Sequence, residues 1–222
     1  MKLRIFSAWA ALVLMTGVAG AQQFRVEKLA EQPPGEALAP EIVQLLEPAG
    51  LRVLNGDQAV VDLWLTRQWP AKPGFQPSPT VMYPFEVGTL MGVARYKNRG
   101  GDFRNQEIPA GVYTIRYAQQ PEDGNHIGTS DTRDFLLLIP AAADRTAAKM
   151  PEPMLFQASA KAAGTTHPTM LSLLRAGEGQ APAVEHDAER DLVSVRVKGQ
   201  AKAGDKTMPL TVTIVVVGHA VE

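Results

Sequence analysis

The stretch Ile108-Pro109-Ala110-Gly111-Val112-Tyr113-Thr114-Ile115-Arg116-Tyr117 decides how the rest of the chain reads. Pro109 and Gly111 mark a turn. After it Tyr113, Ile115 and Tyr117 alternate with Thr114 and Arg116. A period of two sends successive side chains to opposite faces, so this is a strand with one buried face. The same alternation returns three times. In residues 59–66, Val61, Leu63 and Leu65 alternate with Val60, Asp62, Trp64 and Thr66. In 192–198, Val193, Val195 and Val197 alternate with Ser194, Arg196 and Lys198. In 210–217, Leu210, Val212, Ile214 and Val216 share one face. Phe135-Leu136-Leu137-Leu138-Ile139 is apolar at every position, which predicts a central strand covered on both sides.

Weaker strand patterns occur at 24–29, 51–55, 84–96 and 153–160. Residues 168–175 suit strand or helix, and 144–149 suit a helical turn. Gly100-Gly101 and the Gly- and Pro-rich stretches 177–182 and 199–204 read as hairpin connections. One short helix is expected early: Pro40 fits a first helical position, Ile42, Val43, Leu45 and Leu46 form a stripe, and Pro48 and Gly50 end it. Short strands with almost no helix between them predict an all-β fold. The expected architecture is a single-domain antiparallel β-sandwich of Ig-like, Greek-key type over residues 51–222, preceded by a linker and short helix at 22–50. Tyr113 opens its strand two residues after Gly111, a pattern that resembles the tyrosine corner of such sandwiches. That resemblance assigns its hydroxyl to nearby backbone and makes Tyr113 structural.

Composition narrows the function. Of 222 residues 45% are hydrophobic, and 22 basic residues face 23 acidic ones, so the chain is neither disordered nor basic enough for nucleic acid. The absence of cysteine removes disulfides, thiolate metal sites and thiol nucleophiles. At the start, Lys2 and Arg4 precede an apolar run that ends at Ala19-Gly20-Ala21, the layout of a secretory signal peptide with cleavage after Ala21. The run is shorter than the ~20 apolar residues that span a bilayer. The expectation is a periplasmic or secreted protein without a stable membrane anchor after cleavage. Losing Lys2 and Arg4 would leave 20 basic and 23 acidic residues.

The chemically richest segment is 119–134, a long connection between two strands, and such loops are often functional. It carries Glu122, Asp123, Asn125, His126, Ser130, Asp131, Thr132, Arg133 and Asp134. Three readings are open. The residues are ordinary turn chemistry, with Arg133 paired to a carboxylate. Alternatively, Asp123, Asp131 and Asp134 are oxygen ligands for calcium, joined by Asn125, or with His126 they suit zinc. The full calcium-loop spacing is missing. As a third reading, His126, Ser130 and Asp131 are types that nucleophilic catalysis uses, but no nucleophile-elbow spacing accompanies them. A separate binding reading rests on Trp64, Trp69, Phe75 and Tyr83 at or beside the proline-rich residues 70–84, with Asn125 and Arg133 as polar partners. Exposed aromatics stack on glycans; buried ones cap a core.

Several stretches together resemble a family of exported bacterial proteins of unknown function. They are Asp62-Leu63-Trp64-Leu65, Gly101-Asp102-Phe103-Arg104, residues 108–117, Asp123-Gly124-Asn125-His126-Ile127-Gly128, Arg133-Asp134-Phe135-Leu136-Leu137-Leu138, His167-Pro168 and Val215-Val216-Val217-Gly218. The resemblance implies export and a sandwich-like fold, and no activity comes with it. The resulting expectation is a non-enzymatic binding or structural protein whose partner is an envelope protein or glycan. The alternative is a metal-binding protein or metal-assisted enzyme centred on the 119–134 loop.

Overall fold

Each alternating run is a strand in the computed structural model of the protein, which describes residues 24–122, 130–218 and 220. In chain order the elements begin with β1 (Phe24–Leu29), the one-turn helix α1 (Pro40–Val43), β2 (Gly50–Asn55), β3 (Gln58–Leu65) and β4 (Trp69–Pro70). Next come β5 (Leu90–Tyr96), β6 (Gly100–Gly101), β7 (Glu107–Ile108), β8 (Gly111–Gln119) and β9 (Asp134–Pro140). The chain continues through helix α2 (Glu152–Ala163), β10 (Met170–Leu174), β11 (Ala183–Asp187), β12 (Leu192–Ala203) and β13 (Lys206–Val217). The fold is all-β, as the alternation predicts.

One curled sheet runs in the order β1-β2-β3-β5-β8-β9-β10-β13-β12-β11, with β4 added to β12. β10 is its corner. Residues 170–172 pair with β9, whereas Leu173 and Leu174 pair with β13, so this one strand joins the two runs of the curled sheet. The order β10-β13-β12-β11 is that of a Greek key. Residues 177–182 therefore carry the chain across to a distant edge, not around a hairpin. At the seam, the Phe24 ring of β1 meets His186 of β11 edge-on, 5.3 Å between centroids.

The inward residues of the alternating runs meet in one core. Val61, Leu63, Ile115, Tyr117, Leu136 and Leu138 from one half face Val193, Val195, Val197, Val212, Ile214 and Val216 from the other. The Tyr113 hydroxyl donates to the Pro109 carbonyl at 2.7 Å, as a tyrosine corner requires. Residues 135–139 of β9 are all buried, as their all-apolar sequence predicts.

Two further expectations fail for physical reasons. Residues 153–160 are not a strand but most of α2. Glu152 and Pro153 suit a first turn, Leu155, Ser159 and Ala162 form a buried stripe, and Gly164 ends the helix at φ 67°. Residues 144–149 are not helical; Arg116 and Asp144 hold them as an irregular strap.

The outward face of β3 looks wet in sequence and is dry in the fold. The segment after β1 lays Leu38, Ala39, Ile42 and Leu46 over Trp64 and Val93. Asp62 beneath it is fully buried between Arg52 and Arg95, each with a nitrogen 2.6 Å from its carboxylate. No helix among the described residues is long and apolar enough to cross a membrane.

Candidate functional site

The aromatic candidates do not form a surface. Trp64 and Trp69 are 0% and 1% exposed. The Trp64 indole N–H donates to the Glu31 carbonyl at 3.0 Å, and Arg95 lies over its ring at 4.9 Å. The Trp69 N–H donates to the Met91 carbonyl at 3.3 Å. The Tyr83 hydroxyl donates to the Leu174 carbonyl at 2.6 Å and accepts from the Thr213 amide at 3.2 Å. Burial pushes that hydroxyl up to about 12. All three cap the core, so the exposed-aromatic reading gives way to the buried one.

The described part of 119–134 is tied down residue by residue. Asp134 is fully buried and accepts from the Met82 amide at 2.6 Å and from the Tyr117 hydroxyl. Burial raises its carboxyl above the ordinary value of 3.8, although those donors and Arg133 pull the other way. Burial, then the nearby Asp134 charge, raises the Tyr117 hydroxyl. Gln119 donates its side-chain amide to the same Tyr117 oxygen at 2.8 Å. Thr132 donates to the Leu173 carbonyl at 2.6 Å, and the Ser130 and Ser172 hydroxyls are 3.0 Å apart. Arg133 donates to the Gln120 carbonyl at 2.8 Å and pairs with Glu122. Asp131 pairs with Arg190 at 3.2 Å.

Asp131 and Asp134 thus serve separate bonds and do not converge. Among the described residues no group of three or more His, Asp or Glu side chains is placed to hold a metal. Asp123, Asn125 and His126 lie outside the described residues. Among the described residues Ser130 has a serine as its hydrogen-bond partner.

What the segment does border is an apolar cavity of about 260 Å³. Its walls include Phe103, Phe135, Leu137, Phe156 and Met170, and Gln119, Gln120 and Pro121 reach it from the segment's start. Arg104 and His167 also line it. Wider grooves of about 550 Å³ beside Arg67 and about 630 Å³ beside Phe75 and Met208 are not lined by residues of 119–134.

Buried polar groups fix the cavity's walls. The Asp102 carboxylate accepts from the Arg104 and Gln106 amides at 2.9 and 2.8 Å, and from the Met170 amide at 3.0 Å. One buried aspartate therefore ties the 102–106 turn to the start of β10. The Phe103 amide donates to the Met170 carbonyl at 2.8 Å, and its carbonyl accepts from Ala220 at 2.9 Å. On the other side Ser159 of α2 donates to the Thr169 carbonyl and accepts from its amide, at 3.1 and 3.0 Å. Such second contacts set a site's shape before any ligand arrives.

Sequence reasoning did not single out Phe103, Arg104, Phe156, His167 or Met170 as site residues. A signal was nevertheless there. Three stretches noted for their resemblance, 101–104, 133–138 and 167–168, are far apart in the chain and meet around this one cavity. No family model matches the chain, and no curated protein or solved structure matches it.

Proposed function

We propose that the protein is an exported, non-enzymatic binding protein of the bacterial cell envelope, and that the cavity between β9, α2 and the 102–106 turn is its binding site. The observation that carries this reading is the convergence of residues 103–104, 135–137 and 167–168 on one apolar hollow with braced walls. An apolar cavity with a few polar groups at its margin is the usual form of a small-molecule site. Core-building alone does not call for Arg104 and His167 beside it. The reading includes removal of residues 1–21 as a signal peptide. It also takes the two halves of the curled sheet as layers of an Ig-like sandwich.

The test is a thermal-shift and ligand-observed NMR screen of small apolar and aromatic compounds against the purified protein. A binder at about 100 times its Kd stabilises by about 2.7 kcal/mol, which for a chain of this size raises Tm by about 5–10 °C. Silence across such a panel, with binding of peptidoglycan fragments or an envelope protein instead, would move the function to the outer surface. Export is checked by cell fractionation and by an N-terminus that begins at Gln22.

A further inference from the structure

We infer that the cavity takes a small monocarboxylate with an apolar body, of the size of a one-ring aromatic acid. The inference rests on the cavity being the binding site. Size sets the first limit. An apolar cavity of about 150 Å³ holds benzene, so about 260 Å³ takes one ring with a short side chain and excludes a lipid or an oligosaccharide. The wall chemistry sets the second. The Phe103 and Phe135 rings stand 6.1 Å apart and inclined at 55°, with Phe156 also in the lining. Aromatic walls in this arrangement favour an aromatic guest by edge and face contacts. Leu137, Met170 and Ala118 add to the apolar walls, and Gln119 and Gln120 are the uncharged polar residues of the lining.

A charged head group calls for a charged partner, and among the described residues the charge in the lining has one sign. The titratable residues lining the cavity are Arg104 and His167, and no acidic residue among the described ones lines it. Arg104 is exposed and makes no ion pair among the described residues. Arg52, Arg95, Arg116, Arg133, Arg190 and Arg196 each pair with a carboxylate, whereas Arg104 shares its unpaired state with Arg67, Arg145 and Arg175, none of which lines this cavity. The Arg104 backbone is held by Asp102 at 2.9 Å, so its side chain extends from a fixed point. A guanidinium in that position recognises a carboxylate by paired, charge-assisted hydrogen bonds.

The experiment compares 3-phenylpropionate with its neutral isostere 3-phenylpropan-1-ol on the full chain labelled at its methionine methyls. Met170 lines the cavity and reports occupancy. Both probes are expected to shift the Met170 methyl, with the acid binding about fivefold more tightly, the upper end for an exposed ion pair. Arg104→Gln abolishes that preference and leaves the alcohol's affinity unchanged; Arg104→Lys restores part of it. Equal affinity for acid and alcohol, with Arg104→Gln altering neither, overturns the inference and leaves the cavity reading intact. A Met170 methyl unmoved by either probe overturns both.

Discussion

Asp144→Asn should be among the most damaging single changes available. Arg116 and Asp144 are both fully buried. The guanidinium has five N–H donors, and all five are used. Two go to the Asp144 carboxylate at 2.6 and 2.9 Å. The others go to the carbonyls of Gly88, Ala148 and Thr146 at 2.7, 2.9 and 2.5 Å. Thr114 donates to the same carboxylate at 2.5 Å. Asparagine keeps the volume but turns an N–H₂ toward the guanidinium and leaves a buried cation without a counter-charge. Breaking one side of a buried pair costs about 3–5 kcal/mol, which lowers Tm by about 6–20 °C in a chain of this length.

The assay is urea unfolding read from the buried Trp64 and Trp69, in a Trp9→Phe background. Because the pair is dry, the loss should stay the same from low salt to ~0.5 M, where surface pairs are screened. A cost below about 1 kcal/mol, or one that fades with salt, would refute the reasoning by making this an ordinary exposed pair. The change should also reach the cavity. Residues 144–150 lead into α2, the Met150 amide bonds the Gly88 carbonyl at 3.2 Å, and Phe156 of α2 lines the cavity.

Further outcomes follow from single residues. Tyr113→Phe removes the corner bond to Pro109 and should cost about 1 kcal/mol in urea unfolding; no change would make the corner ornamental. Gly199→Ala places a Cβ 2.5 Å from the Trp69 ring, an overpacking that should cost about 1–3 kcal/mol and alter Trp69 emission. Trp64 and Trp69 should emit as buried indoles and resist iodide quenching; ready quenching would contradict their burial. Asp134 carries a pH prediction. Its carboxyl is raised in the folded state, so its stabilising share is full below the unfolded value and is lost as pH rises through the folded one. The loss on Asp134→Asn should therefore be larger near about pH 4 than near about pH 7, and an equal or reversed difference rules the assignment out.

The strands were legible because a strand buried on one face must alternate. Residues 112–118, 192–198 and 210–217 did so and form the core. The outer face of β3 was not legible. Asp62 and Trp64 look solvent-facing in their own strand, and what buries them is a segment upstream, residues 38–46, that local periodicity does not register. α2 was missed for a related reason. Its buried stripe is only Leu155, Ser159 and Ala162, too sparse to mark a helical face against the strand reading of 153–160. The cavity was visible only as fragments, because Phe103, Phe135 and His167 share no period and meet through pairing that joins β9 to β10.

The residues that made 119–134 look chemical are, where described, engaged in building the fold. Asp134 satisfies a buried amide and a buried tyrosine, Thr132 satisfies a strand carbonyl, and Asp131 and Arg133 hold ion pairs. A side chain already committed to buried neighbours cannot change partners without the desolvation cost of leaving them unmet. Reactivity is thus to be sought where polar groups remain uncommitted, and beside this segment that place is the cavity margin. There Arg104 is charged, exposed and free of an ion pair among the described residues, while the walls behind it are apolar and braced by Asp102 and Ser159. A cation without an ion pair among the described residues, beside a largely apolar hollow, adds no ion-pair energy to the empty fold. It gains its effect when an anion with an apolar body arrives, which is why the carboxylate comparison at Arg104 tests the function more directly than any substitution in the loop.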